Sequence, residues 1–489
     1  MQIHTRVLGC VVAASLGLAS QARPAVPTED AGNAALQSEV QTMKSEIESM
    51  KRDYEARLHA LEERVARAES RNASAIAATT PDDREGSAAA PTSANPNASG
   101  EAALPGVSAP PDDAIEPQGP VSTLTRLANT LNPSISAILQ GRAAYLQGGG
   151  GERSIPGFPL GAETDRGPKG LALGESELVF SANVDDKLYG FFDMTFDQGD
   201  IGIEEAYIST LALPLGFGLK AGQFLSAIGY QNDRHSHTWD FIDQPLVYDA
   251  MLAGGLSDPG IQVTWVAPTD LYVELGAEVF RGDAFPAAGA DNDGFGSATA
   301  FAKVSGDLGD SSTWLAGLSY LRSEADGRMS ELSNGQMASF DGSTDLAIAD
   351  FVWKWAPLGN FRERNFTFQA EYMHRHDSGR VTSNGAFGHY RSDQDGFYVQ
   401  GVYQFMPRWR VGLRYGELWS DENANGLPPS LFEADGSSPR RVSAMADFSN
   451  SEFSRFRLQY SFDAGGLGDD SLVYLQYIVS IGSHGAHSF

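Results

Sequence analysis

The stretch Phe453-Ser454-Arg455-Phe456-Arg457-Leu458-Gln459-Tyr460-Ser461-Phe462 alternates apolar and polar residues. Phe456, Leu458, Tyr460 and Phe462 fall on one face of an extended chain. Arg455, Arg457, Gln459 and Ser461 fall on the other. Successive side chains of a strand point to opposite faces, so this is a β-strand with one apolar face. The scheme recurs. Trp409, Val411, Leu413 and Tyr415 oppose Arg408, Arg410 and Arg414, and Phe366, Phe368, Ala370 and Tyr372 oppose Thr367, Gln369 and Glu371.

A soluble sandwich would alternate too, but three features favour a barrel in a membrane. The apolar faces carry Phe, Tyr and Trp near strand ends, as at Trp353 and Trp355, where interfacial girdles sit. The connections alternate in length. Short turns fall at 185–187, 214–216, 268–270, 307–310, 357–364, 406–408 and 450–452, and the opposite connections are mostly long and polar. Finally, Val473, Leu475, Tyr477, Val479 and Ile481 share one face of a last strand, and the chain ends on Phe489. Seven turns and about eight loops predict an all-β membrane barrel of about 16 antiparallel strands over 132–489. A barrel of that size is expected to enclose an aqueous channel.

The rest of the chain is different. Residues 1–22 read as a signal peptide, with Arg6, an apolar run over 7–19 and the small residues of Ser20-Gln21-Ala22. The lone cysteine, Cys10, belongs to it, which excludes a disulfide framework and a multi-cysteine metal site. Over 31–70, Val40, Ile47 and Tyr54 occupy heptad a positions, and Leu36, Met43 and Met50 occupy d positions. This predicts an α-helical coiled coil with a stutter between Tyr54 and Leu58. These residues do not distinguish dimer from trimer. Residues 71–131 are rich in Ala, Pro and Ser without an apolar period and read as a disordered linker.

The 489 residues carry 35 Lys+Arg against 63 Asp+Glu, a net charge of −28, which argues against nucleic acid as a partner. From residue 132 onward there are 24 basic and 46 acidic residues, net −22. The mean hydropathy of −0.26 is compatible with a barrel, because only half of each strand faces lipid.

This organisation resembles the porins of the Gram-negative outer membrane. Ile203-Glu-Glu-Ala-Tyr-Ile-Ser-Thr-Leu-Ala-Leu-Pro214, followed by Gly218-Leu-Lys-Ala-Gly-Gln-Phe224, is similar to the phosphate-selective porin group. There a strand ending in Gly-x-Phe leads into a loop that folds inward. The coiled coil before the barrel is similar to a branch proposed as siderophore porins. The block Gly229 to Phe241 resembles one found in uncharacterised proteobacterial barrels. The chain lacks a lumen ladder of lysines, and it is too short for the ~22 strands of TonB-dependent receptors. The resemblance implies an outer-membrane location, and Phe489 resembles the signal read by the outer-membrane assembly machinery.

If the aromatic faces meet lipid, Arg408, Arg410, Arg414, Arg441, Arg455 and Arg457 line the lumen on one side. Glu175, Glu177, Asp193, Glu205, Glu274 and Glu278 line it on the other, setting a transverse field across the channel. The longest loop, about 225–259, reads as a constriction holding Asp233, Arg234, His235, His237, Asp240 and Asp243. His235 and His237, with nearby carboxylates, could hold a metal. His374, His376 and His389 form a second loop-side group. No spacing of Ser and His singles out a catalytic dyad, and Gly148 to Gly151 lack the strand–helix context of a phosphate loop. No enzymatic role and no cofactor are expected.

The expectation is a homotrimeric channel for passive diffusion of small hydrophilic solutes with a mild cation preference, its N-terminal arm in the periplasm. Outer-membrane lipid and lipopolysaccharide are its expected surroundings. The alternatives are a specific uptake porin for a metal ion or chelate, and a tether from the outer membrane to the cell wall.

Overall fold

A computed structural model describes residues 134–482, except 149–151, 159–162, 198–199, 288–293, 333–335, 426 and 428–435. The signal peptide, coiled coil and linker over 1–131, and Phe489, lie outside the described residues. The strands are β1 (Ser134–Leu146), β2 (Glu152–Ser154), β3 (Glu163–Asp165), β4 (Gly170–Leu173), β5 (Ser176–Asn183), β6 (Leu188–Asp197) and β7 (Asp200–Thr210). Then come β8 (Phe217–Leu225), helix α1 (Leu246–Leu252), β9 (Ser257–Val266), β10 (Tyr272–Phe280), β11 (Ser297–Asp307), β12 (Ser312–Glu331) and β13 (Met337–Trp355). The last are β14 (Asn365–Ser383), β15 (Ala386–Met406), β16 (Trp409–Asn425), β17 (Arg440–Ser451), β18 (Ser454–Ala464) and β19 (Ser471–Gly482).

From β4 to β19 each strand is in the same sheet as its sequence neighbours, and β1 pairs with β19 from Ser136↔Gly482 to Leu146↔Leu472, so the sheet closes. On its other edge β1 pairs with both β4 and β5, which form one wall strand interrupted at Gly174 and Glu175. The wall therefore has sixteen antiparallel strands and no free edge. Among the described strands, β2 and β3 alone stand apart, as a small hairpin in the connection after β1.

The alternation decides which face is which. On β16, Trp409, Val411 and Leu413 are exposed on the outside, while Gly412, Arg414, Gly416 and Leu418 are covered within. On β18, Phe456, Leu458, Tyr460 and Phe462 are exposed, and Arg457, Gln459 and Ser461 are buried inside. An outer surface so apolar would aggregate in water and is at home in lipid. Aromatic pairs mark its turn side: Trp353 with Phe366 at 5.8 Å and Trp409 with Phe448 at 4.8 Å.

The wall has uneven height. Strands β5 to β11 have 8–11 residues, whereas β12 to β16 have 17–21. The loop-side group His374, His376 and His389 lies on these tall strands. β14 turns into β15 through Asn384-Gly385, both at positive φ (48° and 79°), the two-residue geometry that matches the twist of a hairpin. His374 and His376 point outward and pair with Asp395 at 2.9 Å and Asp393 at 2.6 Å.

Candidate functional site

The connection between β8 and β9, residues 226–256, folds into the barrel. Its backbone cannot leave polar groups unpaired there, and the inward wall supplies partners for both ends of its peptides. At its start, Glu278 accepts from the Ala227 N–H at 2.9 Å, Gln262 at 2.7 Å, Thr299 at 2.5 Å and the Ser226 hydroxyl. Glu205 accepts from the Leu225 N–H at 3.0 Å. Glu371 on β14 takes the N–H groups of Tyr230 (3.1 Å) and Gln231 (3.0 Å) and the hydroxyls of Tyr248 (2.8 Å) and Tyr398 (2.6 Å). Gly229 makes this turn at φ 65°. A Cβ there would meet a Glu371 oxygen at 2.5 Å and the Tyr248 hydroxyl at 2.6 Å.

The arginines take the loop's acceptors. Arg455 donates to the His237 carbonyl at 2.8 Å, and Arg457 to the Trp239 carbonyl at 2.6 Å. Arg410 bridges Asp240 at 2.8 Å and Asp447 at 2.5 Å. Arg414 bonds the Asp243 carbonyl at 2.8 Å and its carboxylate, and Arg441 reaches the same carboxylate at 2.9 Å. Burial pushes the Asp243 carboxyl up, but Arg414 and Arg441 outweigh it and hold the group below the usual carboxylate range.

Between these anchors the loop is apolar. Leu246, Val247, Met251 and Leu252 of α1 are wholly buried against Leu346, Ile348, Met373, Tyr398 and Leu418 of the wall. Each such side chain contributes about 1.5–3 kcal/mol. The wall makes room through glycine: a Cβ on Gly396 would lie 2.8 Å from Val247 and 2.4 Å from Leu418.

The acidic wall also holds the two loop histidines. A short turn over Ser236–Thr238 presents them side by side, ring centres 5.8 Å apart. His237 Nδ1 lies 2.7 Å from the Glu177 carboxylate. His235 Nδ1 lies 3.1 Å from Glu204 and 3.4 Å from Asp193, and its Nε2 lies 3.0 Å from Glu205. Burial disfavours the charged imidazole of His235, but the bonds to Glu204 and Glu205 reverse this and raise its pKa well above the ordinary range.

Most of the expected wall charges thus lie under the loop rather than across open water from one another. Glu177, Asp193, Glu205 and Glu278 are buried, as are Arg414, Arg441 and Arg457. Glu175, at the break in the wall strand, and Glu274, Arg410 and Arg455 are partly exposed. Glu274 accepts from the Tyr272 hydroxyl at 2.8 Å and stands opposite Lys303. Asp233, Arg234 and Asp240 show part of their side chains, with Arg234 stacked on the Tyr230 ring at 4.5 Å. Arg408 corrects the expectation outright: it sits in the Pro407-Arg408 turn at φ 72°, exposed, below the wall. A bulge at Gln404/Met406 ends the alternation one step before it.

Two anchors escape the alternation rule or carry no motif. Glu204 is the extra residue of a bulge, since Asp193 pairs with Glu205 and Met194 with Ile203. Strict alternation puts Glu204 on the lipid face, and the bulge turns it inward. Glu371 lies on the inward face of a recognisable strand, but the loop residues it serves are 123 to 141 positions away.

A closed sixteen-strand wall with an apolar outer face and a long loop bound inside it is a barrel of porin architecture. No family model matches the chain. An uncharacterized protein of Aquifex aeolicus (strain VF5) is 31% identical over 343 residues, covering 66% of this chain and 70% of that one; the chain belongs to the same family. Similar solved structures include the in-vitro folded OmpT of Vibrio cholerae in its trimer form (TM-score 0.46, 12% identity, 72% of this chain and 99% of that one). They also include the outer-membrane channel DcaP of Acinetobacter baumannii (0.46, 13%, 72% and 97%) and an anion-selective porin from Comamonas acidovorans (0.44, 11%, 72% and 99%).

Proposed function

We propose that this protein is an outer-membrane channel for passive diffusion of small hydrophilic solutes, its lumen narrowed by residues 226–256. The observation that carries the reading is the loop's double attachment. Wall carboxylates hold its N–H groups and wall arginines hold its carbonyls and aspartates, so the constriction is fixed in place. Because the loop reaches strands all round the wall, the passage beside it is narrow and solutes are sorted first by size. Asp233 and Glu274, partly exposed, together with the acidic balance of the chain, give a mild cation preference. The channel works as a homotrimer, with the arm over 31–70 in the periplasm.

Purified protein in a planar bilayer tests this. Discrete conductance steps, small for a sixteen-strand barrel, are expected. A bilayer that stays silent with correctly folded protein overturns the reading.

A further inference from the structure

We propose that Glu177, Asp193, Glu204 and His235 bind one divalent transition-metal ion of the Zn²⁺ class, which fastens the inward loop to the barrel wall. One ligand atom from each of the four lies within 4.8 Å of the others. A tetrahedral Zn²⁺ with N and O ligands at about 2.0–2.2 Å needs them about 3.4 Å apart. Rotation of the two long glutamate side chains supplies that contraction.

An acidic cluster alone would not single out an ion. Asp193 does. It is 0% exposed, and neither of its oxygens accepts a hydrogen bond among the described residues. Its nearest cationic group is His235 Nδ1, at 3.4 Å. A buried carboxylate without donors is costly and is expected to have a counter-ion. Elsewhere on the inward wall Asp447 has Arg410, Asp463 has Arg441 and Glu371 has four donors; Asp350 also accepts no hydrogen bond, but among the described residues it belongs to no group of ligand atoms close enough to share an ion. Here four carboxylates, counting Glu205, surround two imidazoles. Among the described residues, no lysine or arginine forms an ion pair with any of them.

The donor set selects the ion. Three carboxylate oxygens alone would suit Ca²⁺ or Mg²⁺, and an imidazole nitrogen moves the preference to Zn²⁺ and its neighbours. The imidazole is oriented for this work. His235 Nδ1 faces Glu204 and Asp193, while Nε2 is held by Glu205 at 3.0 Å. A carboxylate on the far nitrogen is how metal-binding histidines are commonly fixed. The way in exists as well, since the side chains of His235 and Glu204 are each 19% exposed. Three ligands come from the wall and one from the loop, so the ion closes a cross-link. His237 belongs to the hydrogen-bonded support, through Glu177, rather than to the ligand set. The site goes beyond the channel reading, because a barrel can conduct without it.

The test uses the full chain, folded in detergent, stripped with chelator and dialysed against Zn²⁺ alone, with metal content read by atomic emission. One Zn²⁺ per chain is expected. Glu205→Gln should weaken binding by about 10–100-fold, and Asp193→Asn and Glu204→Gln should abolish it. The double variant His374→Ala/His376→Ala should bind as the parent does. Circular dichroism verifies the barrel in each. No stoichiometric Zn²⁺ in the parent overturns the proposal. So does binding that survives Asp193→Asn and Glu204→Gln, or Ca²⁺ bound as tightly as Zn²⁺. Conductance is a separate readout: a conducting barrel without Zn²⁺ removes only the site, and a silent barrel that binds Zn²⁺ removes only the channel.

Discussion

Glu371 gathers two backbone N–H groups and two tyrosine hydroxyls inside the barrel. Glutamine in its place keeps the shape but turns two N–H donors towards donors. Leaving buried groups unpaired costs about 1–3 kcal/mol, so Glu371→Gln should lower stability by that amount in equilibrium urea unfolding from lipid vesicles. An unchanged midpoint would mean the loop re-pairs elsewhere. Asp243 is the corresponding node on the arginine side, faced by Arg414 of β16, Arg441 of β17, Gln459 of β18 and, through Arg441, by Asp249 of α1 and Asp463 of β18. Its carboxyl is held below the usual range in the folded protein. The sign follows. The latch is complete above the ordinary aspartate pKa of about 3.9 and is lost as pH falls through the lower folded value. Channel noise from loop movement should therefore stay low from neutral pH down to about 4 and rise in stronger acid. Asp243→Asn should show that noise already at neutral pH, and a quiet Asp243→Asn channel would show that Asp243 is not the latch.

The loop and the wall are separable elements, because strand pairing closes the wall without the loop. Val247→Asp puts a charge where Val247 meets the glycine-cleared wall at Gly396. Burying an unpaired charge is prohibitive, so the loop should leave the lumen while the strands persist. Single-channel conductance should rise several-fold with the β-sheet circular dichroism unchanged, and unaltered conductance would place the constriction elsewhere. These elements were unequally legible beforehand. The alternation in β16 and β18 is strict, because one face meets lipid and the other meets polar partners, so Trp409 to Tyr415 and Phe456 to Phe462 could be read directly. Glu204 could not, because a bulge adds a residue without marking the composition. Arg408 fell to the same rule at the other end, where a turn begins inside an unbroken pattern. The tall strands β14 and β15 hid because their upper halves, around His376 and Asp393, stand beyond the apolar belt and pair charge with charge on the outer face. The loop's length marked it as an inward segment, but not its attachments. Arg455 and Arg457 hold carbonyls 218 residues away, and a carbonyl is present at every position, so no pattern announces them.

At the scale of the whole molecule, charge sets the last expectations. The chain from residue 132 onward has 46 acidic and 24 basic residues. Inside the barrel, though, the arginines are spent on the loop: Arg414, Arg441 and Arg457 are buried, each bonded to it. A buried charge held by a bonded partner contributes little to the field along a channel, whereas the partly exposed Glu274 and Asp233, the latter only loosely faced by Arg234 at 3.6 Å and Lys303 at 3.8 Å, act on passing ions. Potassium should therefore pass more readily than chloride. In a tenfold KCl gradient the reversal potential should carry the sign of cation preference, and it should move towards zero in Asp233→Asn/Glu274→Gln. A potential of the anionic sign would mean that Arg410 and Arg455, not the acids, face the permeating ion. The arm over 31–70 bears on a different property. If its heptad stripe pairs with copies of itself as proposed, deleting residues 23–131 should leave the conductance of a single barrel unchanged and lower the stability of the proposed trimer. Light scattering in detergent, alongside step size in bilayers, separates the two effects. A trimer as stable as the parent's would instead assign the arm to attachment at the cell wall.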